Sequence, residues 1–182
     1  MSVRITYFVH GTTTDNENRR STGWNPGGLS DLGIQQSKDL ARLFNSSDFD
    51  AIFCSDLKRA IDSAALNFGK DVAIKDARLR ECNYGDLNGA PESQVIDKDH
   101  ITEPFPNGES LMDVEVRLRN FCQFLLEKYN GQHIAIVAHK APQLALEVIT
   151  NGKTWPEALA GDWRKTKSWQ PGWEYTVETR GI

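Results

Sequence analysis

Cysteine is scarce in this chain. Cys54, Cys82 and Cys122 are the three present in 182 residues, an odd number at wide spacing. That excludes a disulfide framework and suits reduced thiols in a cytoplasmic protein. Long apolar runs are missing too. None approaches the roughly 18 residues of a membrane span, and the mean hydropathy is -0.50. The apolar stretch after Arg4 breaks at His10-Gly11, so no secretory leader is expected. Basic excess is lacking: the net charge is -4 and the pI about 5.6. This disfavours a nucleic-acid scaffold held by bulk electrostatics, while leaving room for a local basic site. There is no C-x-x-C or H-x-x-x-H spacing, so neither a metal nor a cofactor is expected. A G-x-S-x-G elbow and a Walker phosphate loop are likewise absent. With no repeat, linker or low-complexity segment, residues 1–182 read as one domain.

What is present alternates between strand-like and helix-like segments. Val3–Val9 is short and rich in β-formers, and Ala51–Cys54 reads as a short buried strand. Val72–Ile74 reads as a third strand. His133–Ala138 is nearly continuous apolar sequence, as in a strand buried on both faces. Trp173–Val177 alternates like a last strand. Between them, Ser30 can cap a helix running to about Phe44, with Leu32, Leu40, Leu43 and Phe44 on one side. A second helix starts at Ser55-Asp56 and carries Leu57, Ala60, Ile61, Ala64 and Phe68. Ser110 and Asp113 form a capping-box pair for the strongest helix, which Gly131 ends. Another helix follows Pro142, where proline suits a first turn. Residues 10–29 read as a long functional loop and 82–109 as irregular. The expected fold is a three-layer α/β/α sandwich with a mostly parallel central sheet.

In such sheets ligands bind beyond the carboxyl ends of the strands. Two strand ends deliver His10 and His139, and a third leads into the helix that bears Arg59. Two histidines, an arginine and a carboxylate suit a phosphoryl group. A neutral imidazole can accept it, cationic donors stabilise its oxygens, and a carboxylic acid can protonate the leaving oxygen.

The motifs at these positions carry a resemblance. Phe8-Val9-His10-Gly11-Thr12-Thr13 is similar to an R-H-G-x-T opening, with Asn16 six residues after the histidine. Leu29–Gln36 follows L-[ST]-x-x-G-x-x-Q, and Ser55–Ala60 follows S-D-L-x-R-A. Leu79-Arg80-Glu81 leads into Tyr84-Gly85 and Gly89, then come Gly108-Glu109-Ser110 and Val137-Ala138-His139. Six segments in this order resemble the histidine phosphatase superfamily, the phosphoglycerate mutase-like fold. The resemblance implies that His10 is the phosphorylated nucleophile and Glu81 the proton donor and later the base. It also implies that Arg59 and His139 hold the phosphoryl group, helped by Asn16 and the loop at Gly11.

Two positions depart from that pattern. Val9 stands where the family has an arginine, and Lys140 where a glycine usually follows the second histidine. Val9 removes a bidentate phosphate donor, a loss worth about 10²–10³ in rate. Lys140 is a candidate replacement and is counted with the phosphate-binding residues; Arg19, Arg20 and Arg80 are rivals. The expected activity is hydrolysis of a small phosphorylated substrate, with a catalytically poor phosphate-binding protein as the alternative and a phosphomutase as a third reading. Homodimerisation is left open. Near the C-terminus, Trp155, Trp163, Trp169 and Trp173 interleave with Lys153, Arg164, Lys165 and Lys167. Stacking on nucleic acid is one reading. Packing with the lysines in solvent is preferred, and a third reading has this segment flank the phosphate pocket.

Overall fold

A computed structural model describes residues 1–179. Its elements are β1 (Ser2–Val9), α1 (Thr14–Glu17), β2 (Arg20–Ser21), α2 (Asp31–Leu40), β3 (Ala51–Cys54), α3 (Lys58–Phe68) and β4 (Ile74–Lys75). There follow β5 (Ala90–Pro91), α4 (Leu111–Lys128), β6 (His133–Ala138), α5 (Lys140–Asn151), α6 (Trp155–Ala160), α7 (Trp163–Thr166) and β7 (Trp173–Glu178). Five strands form one sheet in the order β4-β3-β6-β1-β7. Four of them run parallel, and β7 is an antiparallel edge. The sheet is therefore mixed but mostly parallel, flanked by helices as the alternation of segments predicts.

Side-chain alternation sorts the strands between two cores. Ile5, Tyr7, Phe53, Ile134 and Ile136 face α4 and α5, where they meet Leu118, Phe121, Leu144 and Ala145. Phe8, Ile52, Cys54, Ala135 and Val137 face the other way, onto Leu40, Ala64 and Phe68 of α2 and α3. β6 contributes to both cores, which is why its sequence is apolar throughout.

Local signals account for most boundaries. The Ser110–Asp113 capping box forms, with Asp113 Oδ2 accepting from Ser110 N at 2.8 Å and Ser110 Oγ at 2.7 Å. Ser30 Oγ accepts from Gly33 N at 3.3 Å. Three expectations need correction. α2 stops at Leu40, and Leu32 and Leu43 are 53% and 64% exposed, so one apolar stripe to Phe44 does not form. The third strand lies at Ile74–Lys75 and is exposed. α3 starts at Lys58, because Asp56 is held by Arg80 and Leu57 makes no side-chain cap. The loop 10–29 contains α1 and β2, and β2 pairs with β5 of the second irregular segment.

Candidate active site

β1 and β6 are neighbours in parallel register, with Val9 opposite Ala138. Each strand thus ends by delivering a histidine to the same edge, and the His10 and His139 rings lie 5.0 Å apart at 62°. The backbone ties the two ends together. His10 N donates to Ala138 O at 3.0 Å. Buried Tyr7 donates its hydroxyl hydrogen to His139 O at 2.7 Å and accepts from His139 N at 3.0 Å.

Hydrogen bonding fixes the tautomer of His10. Its Nδ1 lies 2.7 Å from Gly11 O, and a carbonyl can only accept, so Nδ1 carries the proton. Nε2 then holds the lone pair, towards which Arg59 Nε donates at 3.3 Å. Burial, then the Arg59 guanidinium, and more weakly Arg164, push the His10 pKa down to about 3; the Gly11 bond opposes them. Burial and Arg59 also hold His139 well below the usual imidazole range. Both ring nitrogens of His139 are buried without a partner. A buried imidazole with neither nitrogen satisfied is unusual in a folded protein.

Glycine contacts hold the loop in place. A Cβ on Gly11 would sit 2.4 Å from Gly33 O, and one on Gly33 would sit 1.9 Å from Thr12 O. Backbone therefore packs on backbone where the chain leaves His10. Gly11 N donates to Ser63 Oγ at 3.0 Å. Thr13 and Asn16 share a capping box that uses the Asn16 carbonyl oxygen, leaving its amide NH₂ as the donor end at the cavity.

Arg59 is buried in α3, its Nη2 on Gly23 O at 2.7 Å and its Nη1 on Asn25 O at 3.4 Å. Glu81 is 8% exposed. Its Oε1 accepts from Cys82 N at 2.9 Å and from Ala141 N, in the first turn of α5, at 3.0 Å. Its backbone is braced from α4: Arg117 Nη2 donates to Glu81 O at 2.9 Å and Arg117 Nε to Glu109 Oε1 at 2.9 Å. Glu109, read from the sequence as part of a motif, thus holds the segment that carries Glu81.

The strand ends open into two cavities. One of about 40 Å³ is lined by His10, Asn16, Arg59, Glu81, Tyr84 and Arg164, among others. A larger one of about 590 Å³ adjoins it through His10, Asn16, Glu81, Glu92 and Arg164. A separate hollow of about 730 Å³ at Arg4, Glu174 and Glu178 contains none of the strand-end residues.

These contacts bring His10, Gly11, Asn16, Arg59, Glu81 and His139 together. Lys140 also lines the larger cavity, but its side chain is 7% exposed and its Nζ is 2.5 Å from Asp97 Oδ2. Arg80 is engaged with Asp56 and stacks over Trp24 at 4.6 Å. A further guanidinium, which the sequence reading placed only in the tryptophan-rich segment, is Arg164 of α7, which lines both cavities. It pairs with fully buried Asp162 at 3.1 Å and keeps 40% of its side chain exposed. Burial works against its charge, and Asp162 more than offsets this, raising its pKa. The signal was Arg164 interleaved with tryptophans, but nothing local linked it to His10.

The pattern of the histidine phosphatase superfamily (branch 1) matches residues 7–170. The chain belongs to this superfamily. It is 32% identical over 171 residues to a 2,3-bisphosphoglycerate-dependent phosphoglycerate mutase of Methylocella silvestris, covering 84% of this chain and 82% of that one. Phosphoglycerate mutase-like protein 4 of Arabidopsis thaliana is 32% identical over 150 residues, 74% of this chain and 65% of that one. The fold matches a mycobacterial glucosyl-3-phosphoglycerate phosphatase in complex with VO3, with a TM-score of 0.73, 29% identity, and coverage of 85% of this chain and 86% of that one. Phosphatase chemistry is thus supported for the superfamily, and the relatives include both mutases and phosphatases. Among the described residues, no helix is long and apolar enough to cross a membrane.

Proposed function

We propose that the protein hydrolyses phosphate monoesters through a phosphohistidine on His10. The observation that carries this reading is the His10–Arg59–His139 cluster, with the His10 lone pair on Nε2 and an unpartnered imidazole beside it. In the first step Nε2 attacks phosphorus and the ester P–O bond breaks. Arg59, His139, Asn16 and Arg164 donate to the phosphoryl oxygens, and protonated Glu81 gives its proton to the departing alkoxide. In the second step Glu81, now a carboxylate, takes a proton from water. The water oxygen attacks phosphorus, the P–N bond breaks, and inorganic phosphate leaves. A depressed imidazole pKa suits the first step, since His10 is neutral without needing a base.

Arg164 is our proposed substitute for the arginine that Val9 replaces. Lys140 is a weaker candidate, because Asp97 already neutralises its charge. A mutase must also hold a second acidic group, and the cations lining the larger cavity are Lys140 and Arg164, both ion-paired. That favours hydrolysis. Val9 supports a second reading, in which the site binds phosphate with little turnover. A reducing cytoplasmic setting is consistent with three buried free thiols, of which burial pushes Cys54 up to about 11 and Cys122 up to about 12.

The test is mass spectrometry of the protein quenched during turnover of a monoester. A phosphoryl adduct on His10 is expected, lost in His10→Ala. Glu81→Gln should slow turnover by about 10²–10⁴. Phosphate binding with neither adduct nor turnover would leave the binding-protein reading standing.

A further inference from the structure

The larger cavity differs in character from the small polar one beside His10. Its apolar wall is made by Val9, Leu40, Leu43, Trp163 and Trp169. Leu43 and Trp169 are 64% and 55% exposed, two of the nine exposed large hydrophobic side chains among the described residues, and both lie on this cavity. Exposed apolar groups gathered at one concave site mark a binding surface.

The polar groups of the same cavity are largely committed elsewhere. Gln36 Oε1 accepts from both Thr12 N and Thr12 Oγ1 at 2.9 Å. Asp39 pairs with Arg42 at 3.0 Å and accepts from Gln35 at 2.9 Å. Lys140 is held by Asp97. Trp163 Nε1 is a buried donor without a partner. Glu92 adds an exposed carboxylate to the lining. With Arg164 assigned to the phosphoryl group and Lys140 held by Asp97, a second anionic group placed here would meet the carboxylates of Asp39 and Glu92, whereas an uncharged hydrocarbon would cover Leu43 and Trp169. At about 590 Å³ the cavity lies within the roughly 300–1,000 Å³ that encloses ligands well beyond a three-carbon acid.

We infer that this cavity is the leaving-group subsite, and that the substrate is the monophosphate of an uncharged apolar alcohol, aryl-alkyl or branched. The inference rests on the hydrolase reading above. Val9 then has a positive role: where an arginine would bring a charge to the junction of the cavities, valine extends the apolar wall to the nucleophile.

The experiment compares 3-phenylpropyl phosphate with propyl phosphate, 3-phosphoglycerate and phosphocholine. The alkyl pair have leaving groups of similar basicity, so their ratio of kcat/KM reports binding in the cavity. A ratio of at least tenfold favouring phenylpropyl is expected. That ratio should fall severalfold in Leu43→Asp and in Trp169→Ser, whose exposed positions tolerate polar residues. A ratio near one, or a preference for 3-phosphoglycerate or phosphocholine, would overturn the inference while leaving hydrolysis intact. If no ester is turned over, calorimetry with 3-phenylpropylphosphonate and methylphosphonate decides the two questions separately. Tighter binding of the phenylpropyl compound would keep the subsite and discard hydrolysis; equal or no binding would discard the subsite.

Discussion

Replacing Arg164 with alanine perturbs two quantities that can be measured apart. The first is stability. Asp162 is fully buried and loses its contacts from Arg164 Nε at 3.3 and 3.4 Å and Nη2 at 3.1 Å. It keeps the bond from the backbone N–H of residue 164 at 2.9 Å, which alanine also supplies. Stripping one partner from a buried ion pair costs about 3–5 kcal/mol. The retained backbone bond and the 40% exposure of Arg164 place the expected loss nearer 2 kcal/mol. The second quantity is rate. A buried transition-state donor is worth about 10²–10³; solvent screening of a half-exposed guanidinium reduces the expected loss in kcat to about 10–100-fold. Arg164→Lys keeps the charge without the planar fork and should recover part of that. The assay is kcat and KM on an alkyl phosphate, with urea melts run in parallel to confirm a folded variant. Val9→Arg should restore rate in the Arg164→Ala background and add little to wild type, a non-additive cycle. Wild-type kcat/KM in folded Arg164→Ala would refute the substitution of Arg164 for the arginine at position 9, as would an additive cycle.

Three further outcomes follow from the buried titratable groups. His10 and His139 should give the NMR signatures of neutral imidazoles from pH 8 down to pH 5, and titration of either near 6.5 would contradict the described burial. Because their folded pKa values are depressed, the unfolded chain takes up protons first. Folding stability should therefore fall as pH drops below about 6.5 and continue falling towards the folded value of about 3 for His10, as read by urea melts across pH. Lys140→Ala should destabilise by about 3 kcal/mol, because it uncovers Asp97, 12% exposed. It should slow turnover less than Arg164→Ala, and a larger kinetic loss would return Lys140 to the phosphate site.

Much of the fold was legible because its signals are local. The Ser110–Asp113 box, the glycine after α4 and the two-faced apolar run of β6 each act within a few residues. The boundaries that failed were those where a tertiary partner outweighed propensity. Asp56 looks like a helix start but is taken by Arg80, 24 residues on, so α3 begins two residues later. The motif residues were legible for a related reason. Once β1 and β6 pair in register, His10 and His139 must share one edge, and α3 and α5 follow directly from the strand ends that place Arg59 and Ala141.

Arg164 obeys a different logic. Its position depends on α5 packing on β1 and β7, on α6 packing on α5, on Trp163 lying 5.9 Å from Trp173, and on buried Asp162 fixing its guanidinium. None of these is a short-range pattern. The tryptophans that looked like one aromatic–basic group divide on folding: Trp155 and Trp173 are buried in the core, while Trp163 and Trp169 line the cavity. Lys153, Lys165 and Lys167 stay on the exposed surface, Lys153 paired with Glu147 and Lys165 donating to Leu159 O, so the basic half of the pattern is surface except at Arg164. In the proposed function, valine at position 9 and arginine at position 164 are one change seen at two places in the chain. On that proposal, charge withdrawn from the strand end returns from α7, and Val9 adds to the apolar lining of the larger cavity. A site altered in the proposed way would keep its phosphate chemistry while changing which alcohol it can release, and the coupling between positions 9 and 164 is what separates that account from simple loss of function.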